Sequence, residues 1–173
     1  MATKKATDAF ANIAFLSVVE AAANTLTFAQ LQLATTLMTE KMAMVIHRLD
    51  VFPDINATDL SANNSSLGVA LTLTDRITSI NDLSQPEIMF FRQYKRVDVT
   101  AASSWFISQP EIVDYSNLPG GGMIVPADRL YIGIQGISAG GAGVASMRVY
   151  YTVKPLDTAD YWDLVEARRI MTT

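Results

Sequence analysis

Residues 129–154 read RLYIGIQGISAGGAGVASMRVYYTVK, and the spacing within them decides the fold class. Apolar side chains fall on every second position in both halves, at Leu130, Ile132 and Ile134 and then at Met147, Val149, Tyr151 and Val153. A period of two places these side chains on one face of a β-strand. Gly140, Gly141 and Gly143 separate the halves and suit a tight turn, so the stretch predicts two strands joined as a hairpin.

The same alternation occurs upstream, at Leu67, Val69, Leu71 and Leu73, and predicts a half-buried strand. Further segments rich in branched or aromatic residues, each bounded by turn formers, lie at 25–37, 41–52, 87–99, 104–113 and 123–125. The total is about eight strands, at spacings typical of an all-β sandwich or barrel. Residues 9–23 fit a helix or a strand, and their second half favours a strand.

The last segment has a different pattern. Asp157 can cap a helix, and Arg168 and Arg169 near its end match the helix dipole. We therefore divide the chain into an N-terminal segment at 1–24, which is an arm or a first strand or helix, a β domain at 25–156 and a C-terminal helix at 157–173. The helix carries more apolar surface than one packed face needs. Its candidate contacts with a neighbouring subunit are Tyr161, Trp162, Val165, Ile170 and Met171.

The composition predicts a self-associating protein. Half of the 173 residues are apolar and 17 % are charged, against roughly 25 % in an average soluble domain. We expect some apolar surface to lie against neighbouring subunits, and the alternative is an unusually apolar monomer. The net charge is −4, and near the N-terminus only Lys4 and Lys5 form a basic pair. Direct binding of nucleic acid is therefore not expected.

The residues that most enzymes need are scarce. The chain has no cysteine and one histidine, which removes thiolate chemistry and histidine metal centres. That residue, His47, lies in a predicted strand between Ile46 and Leu49, as a structural histidine does. The glycine run at 120–122 predicts a turn. We expect no enzyme activity and no catalytic, metal or cofactor site, although two carboxylates converging from distant segments stay open.

Residues 123–136, MIVPADRLYIGIQG, resemble the late strands of viral jelly rolls. A short strand, a Pro-Ala-Asp corner and a long alternating strand are followed by the glycine loop and the last strand. The likeness covers residues 25–156 and is to the single jelly-roll major capsid proteins of icosahedral bacterial or archaeal viruses. It implies an eight-stranded antiparallel jelly-roll sandwich or barrel with a short C-terminal helix.

The resemblance implies a capsid subunit of the virion that assembles through loops, such as 55–66 and 114–122, and through its terminal segments. Its partners would be copies of itself, with or without a second capsid protein, near an internal membrane and without a small-molecule substrate. Jelly rolls also serve as carbohydrate-binding or receptor-binding modules. In that alternative, Trp105, Tyr115 or Trp162 would stack on a sugar.

Overall fold

The computed structural model describes residues 12–32, 42–54, 65–80, 84–95, 110–118, 121–125, 129–160, 162–163 and 166. Nine strands lie in these residues: β1 (Asn12–Val19), β2 (Thr27–Gln30), β3 (Met42–Pro53), β4 (Ser66–Thr72), β5 (Ile88–Lys95), β6 (Glu111–Asp114), β7 (Met123–Val125), β8 (Tyr131–Ile137) and β9 (Val144–Pro155). The segment at 9–23 thus contains a strand. The segments at 25–37 and 104–113 contain only short ones within the described residues.

The strands form two antiparallel sheets that pack face to face. Sheet A has the order β1-β9-β3-β6, with β7 also paired to β3, and sheet B has the order β2-β8-β4-β5. The first strand pairs with the last, the second with the last but one, and so on inward to β4 and β5. This is the order of a long hairpin rolled into a sandwich, which is a jelly roll. The predicted fold class is confirmed.

The strand count is one higher than predicted because the segment at 9–23, for which helix and strand were both open, forms β1, whereas the two expected strands β6 and β7 form one interrupted edge of sheet A. Both β6 and β7 pair with the same edge of β3, since Asp114 lies opposite Arg48 and Met123 lies opposite Ile46. Only His47 separates the two pairings, and β3 itself shifts register against β9 at this point. β6 and β7 therefore lie in line along one edge of β3.

The predicted hairpin of the last two strands is wrong. β8 pairs with β2 and β4 in sheet B, whereas β9 pairs with β1 and β3 in sheet A. The glycine-rich connection at 138–143 therefore crosses from one sheet to the other. Ser138 in this connection has a positive φ of 53°. Turn-forming residues show that the chain reverses, but they do not show which strands then pair.

The core fills the space between the sheets, and the predicted alternation places it correctly. In β9 the buried residues are Ala145, Met147, Val149, Tyr151 and Val153, and in β8 they include Ile132 and Ile134. Leu67, Val69 and Leu71 of β4 face the same core. Burial of such side chains contributes about 1.5–3 kcal/mol each.

β4 is buried on both faces, so the prediction of a half-buried strand is wrong. All of its residues are buried. Ala70, on the outer side, packs with Ile77 and Ile80 from the connection that follows β4, and Phe28 and Phe91 flank this second cluster. The alternation showed the inner face of β4 correctly. It could not show that a connecting segment folds back over the outer face.

One end of the sandwich is held by a buried carboxylate. Glu20 follows β1 and is 3 % exposed. Its Oε2 accepts a hydrogen bond from the Gly143 amide at 2.5 Å, and its Oε1 accepts one from the Gly136 amide. Nearby, the Ala139 amide donates to Asn24 Oδ1 at 2.8 Å. The end of sheet A is thereby tied to β8 of sheet B and to the crossing connection.

The C-terminal helix begins at residue 158. The amide of Asp160 donates to Asp157 Oδ1 at 2.8 Å, which is the geometry of an N-cap, so the predicted cap is confirmed. Among the described residues, no helix is long and apolar enough to cross a membrane.

Candidate interaction surface

The outer face of sheet A carries a network of charged side chains at its centre. Asp50 points outward from β3, yet its side chain is only 4 % exposed. Its Oδ1 lies 2.5 Å from Arg48 Nε, and its Oδ2 accepts a hydrogen bond from the Tyr150 hydroxyl at 3.1 Å. The hydrogen bond from Arg48 to Asp50 raises the pKa of the guanidinium further. The carboxylate is thus paired on both oxygens.

Two arginines lie over aromatic rings beside this carboxylate. The guanidinium carbon of Arg48 is 5.2 Å from the centre of the Tyr150 ring, and that of Arg148 is 5.7 Å from the centre of the Phe52 ring. Both distances are within the range of cation–π contacts. A surface whose central carboxylate is already paired within the subunit is suited to contact with another surface.

Exposed apolar side chains lie on both edges of the same face. On β1 they are Ile13, Phe15 and Val19, which are 57 %, 56 % and 56 % exposed. On the opposite edge they are Ile112 of β6 and Ile124 of β7, at 55 % and 46 %. The pairing register places Phe15 beside Arg148, and Ile112 beside Asp50. We call this set, with its charged centre, the sheet A face.

His47 holds the interruption between β6 and β7. Its Nδ1 lies 2.7 Å from the carbonyl oxygen of Gly121, and its Nε2 lies 2.8 Å from Thr152 Oγ1. A neutral ring with its proton on Nδ1 satisfies both contacts, since a carbonyl only accepts. The amide of Tyr115 donates to the His47 carbonyl at 2.7 Å. His47 therefore fixes the loop that lies between the two in-line strands.

The loop itself forms the predicted turn. Gly121 has a φ of 78°, and its amide donates to the carbonyl of Leu118 at 2.8 Å. At Gly122 a side chain would come within 2.6 Å of Val45 and 2.7 Å of the Ile46 carbonyl. Gly121 is needed for the backbone angle, and Gly122 is needed for close approach to β3.

The far edges of the two sheets are joined by polar side chains. Glu111 of β6 accepts a hydrogen bond from the Tyr94 hydroxyl at 3.2 Å, and its Oε2 is 2.9 Å from Arg92 Nε. Phe90 and Tyr94 pack against the main core, whereas Phe91 packs on the second cluster. Aromatic residues on both faces of β5 thus serve packing. Arg92 serves the link between the sheets.

This link predicts a stability loss at alkaline pH. Burial, followed by the charge of Glu111, raises the pKa of the Tyr94 phenol far above its ordinary range. The folded protein therefore holds this proton more tightly than the unfolded chain. The stabilisation is complete below the unfolded pKa of about 10 and is lost as the pH rises through the folded value. Urea unfolding measured from pH 8 to 11 should show stability falling at the upper end.

Two variants check the assignment to Tyr94. Tyr94→Phe should cost about 1 kcal/mol at pH 7, from the lost hydrogen bond, and should flatten the alkaline fall. Glu111→Gln should lower the pH at which the phenol ionises, as followed by absorbance at 295 nm, because it removes the neighbouring charge. An alkaline fall that is unchanged in Tyr94→Phe would assign it to another group.

Of the contact residues predicted on the C-terminal helix, one can be placed. Trp162 is helical and 57 % exposed, as a contact residue would be in the separate chain. Tyr161, Val165, Ile170 and Met171 lie outside the residues whose side chains the structure describes. That these residues contact a neighbouring subunit therefore stays a prediction. Most of the loop at 55–66 also lies outside the described residues.

The sheet A face was not predicted from the sequence. β1 has apolar residues on both sides, with Ala14 and Val18 buried and Ile13 and Phe15 exposed. Apolar residues in consecutive positions give no alternation to read. The composition of β1 was the one sign of this face in the sequence. From Asn12 to Val19 the strand is uncharged, and it has more apolar residues than one buried face can use.

Tyr115 and Trp105 were suggested for stacking on a sugar. Tyr115 is partly buried and packs against the main core, and burial raises the pKa of its phenol. Trp105 lies outside the described residues. In the described part of the chain, no group of three or more His, Asp or Glu side chains could hold a metal ion.

Comparison of the sequence with models of protein families and with curated proteins gives no match.

Proposed function

We propose that this chain is a structural subunit of an icosahedral viral shell, a single jelly-roll capsid protein that assembles with copies of itself in the virion. One observation carries the proposal: the jelly roll leaves apolar side chains exposed on both edges of one sheet face. Exposed apolar side chains gathered on one face are typical of surfaces that bind other proteins. Contact with further subunits would bury them.

The charged centre of the sheet A face supports contact as well. Bringing an unpaired carboxylate out of water is costly, and a buried pair repays that cost only when its geometry is good. Asp50 is already 4 % exposed and bonded to Arg48 and Tyr150 within the subunit. Covering the face therefore adds little desolvation at this carboxylate. The apolar edges supply the favourable free energy.

The opposite face of the sandwich supports a one-sided subunit. Sheet B is covered around Ala70 by Ile77 and Ile80 of its own chain. Contacts of the kind proposed therefore belong to the sheet A face, to loops and to the terminal segments. The proposed partners are copies of the chain, with or without a second capsid protein, and direct binding of nucleic acid is not part of the proposal.

Self-assembly is the test of the proposed function. Purified protein should form oligomers, sheets or shells in light scattering coupled to size-exclusion chromatography and in electron micrographs. The assembled fraction should persist at 1 M salt, because apolar contacts are not screened as ion pairs are. A strictly monomeric protein at millimolar concentration would contradict the proposal. A monomer that binds glycans on a glycan array would favour the carbohydrate-binding alternative.

A further inference from the structure

We infer that two copies of this chain associate by pairing their β1 strands edge to edge about a twofold axis, which joins both A sheets into one continuous sheet. The inference rests on the proposed self-association and names its first contact. β1 lies at the edge of sheet A, and among the described strands only β9 pairs with it.

The direction of the backbone groups of β1 follows from one hydrogen bond. The amide of Glu20 donates to the carbonyl of Gly143 at 2.8 Å, so even-numbered residues of this segment point their amides and carbonyls toward β9. Because backbone groups alternate sides along a strand, those of Ile13, Phe15, Ser17 and Val19 point to the open edge. Such a row of groups is a template for another strand.

β1 is the edge least protected against pairing. Proteins block exposed edges with charged residues, prolines or very short strands. The edge strand β5 carries Arg92 and Lys95, and β6 carries Glu111 and Asp114. The remaining edges, β2 and β7, have four and three residues. β1 has eight residues and contains neither a charge nor a proline.

The sequence of β1 is suited to pairing its open edge with β1 of a second copy of the chain. Antiparallel pairing about a twofold axis is self-complementary, so each contact occurs twice. Residues opposite each other must share a face of the sheet, which pairs odd with odd and even with even positions. If Ile13 pairs with Val19 and Phe15 pairs with Ser17, all four residues whose backbone groups point to the open edge are used. The neighbouring register, in which Phe15 lies opposite itself, leaves Val19 without a partner in β1.

This register also matches the side chains. Ile13 would contact Val19 of the other copy on the outer face, where both are now more than half exposed. On the inner face Ala14 would lie opposite Val18, and Leu16 would meet its own copy at the axis. Leu16 is already packed against the core. Cross-strand apolar pairs of this kind contribute roughly 0.2–1 kcal/mol each.

The test uses a charge and its rescue. F15K places a cation in the proposed pairing edge and should weaken the dimer at least tenfold in sedimentation equilibrium. The double variant F15K/S17E should recover most of the affinity, because the register sets each new cation opposite a new carboxylate of the other copy. I137K is the matched control, since Ile137 is exposed on β8 of sheet B and should leave the dimer unchanged.

Amide hydrogen exchange supplies a second measurement. In the associated protein the amides of Ile13, Phe15, Ser17 and Val19 should exchange slowly, whereas in the dissociated F15K protein they should exchange fast. The amides of even-numbered residues should be slow in both, because β9 binds them. At a concentration where both proteins are monomeric, the melting temperature of F15K should stay close to that of the original protein, since Phe15 is 56 % exposed.

The outcomes separate this inference from the proposed function. An oligomer that F15K leaves intact, or odd-numbered amides that exchange fast within the oligomer, would overturn pairing through β1 and leave self-association standing. Failure of F15K/S17E to recover affinity would overturn the register. A strictly monomeric original protein would overturn both the pairing and the proposed function.

Discussion

Replacing Glu20 with alanine is expected to lower the free energy of unfolding by about 3–5 kcal/mol, because each buried donor left without a partner costs about 1–3 kcal/mol. The carboxylate accepts hydrogen bonds from the amides of Gly136 and Gly143, and it is almost wholly buried. A methyl group cannot replace either acceptor. Urea unfolding at pH 7 measures the change as a shift of the midpoint.

Two comparisons make this result specific. Glu166→Ala removes the same charge from an exposed helical position and should change stability by less than about 0.5 kcal/mol. Glu20→Gln keeps one acceptor oxygen and should fall between the original protein and Glu20→Ala. A Glu20→Ala protein within 1 kcal/mol of the original would mean that water or another group replaces the carboxylate.

Ile132→Ala in β8 should cost about 2–5 kcal/mol, since it removes a fully buried side chain between the sheets and leaves a cavity. Ile137→Ala is the matched control, because it makes the same change on the outward side of the same strand, where the residue is 37 % exposed. We expect it to cost less than about 1 kcal/mol. Thermal and urea unfolding of both variants give the comparison.

The pair of isoleucines tests the face assignment of β8. Within a strand, positions separated by an odd number lie on opposite faces. Equal losses in the two variants, or a larger loss in Ile137→Ala, would require the opposite face of β8 to meet the core. That would contradict the pairing of Ile132 with Ala29 and Leu71 on the inner side of sheet B.

The inward faces of the central strands could be predicted because alternation is a local property. Met147 and Val149 face the core, as their spacing indicates, and the same holds for Leu67 and Val69. The Asp157 cap was also readable, because its partner, the Asp160 amide, lies three residues away. Each of these features depends only on neighbours in the sequence.

Strand partners could not be predicted in the same way. The glycine loop favoured a hairpin, but β8 and β9 lie in different sheets because each has two better partners far away in the sequence. β4 pairs with β8 across more than sixty positions, as Val69 opposite Ile134 shows. Pairing of this kind depends on the burial of whole faces and not on the residues of the turn.

The sheet A face could not be predicted from the sequence for a related reason. A contact was expected from the C-terminal helix, where the apolar residues around Trp162 exceed one face. Phe15 and Ile112 are exposed because of the positions of β1 and β6 at opposite edges of sheet A, and edge positions follow only from the complete strand order. A sequence shows that a strand is apolar on both sides, but not that one side is left uncovered.

The interruption opposite His47 has a practical consequence for engineering. The two halves of the broken strand are each held by their own ladder to β3, and the Tyr115 and Gly121 backbones are anchored at the histidine. Extra residues inserted between Tyr115 and Gly121 would lengthen the loop without moving the hydrogen bonds that pair β6 and β7 with β3. Since doubling a flexible loop costs only about 0.6 kcal/mol, this position is suited to carrying a grafted peptide, such as an epitope or an affinity tag.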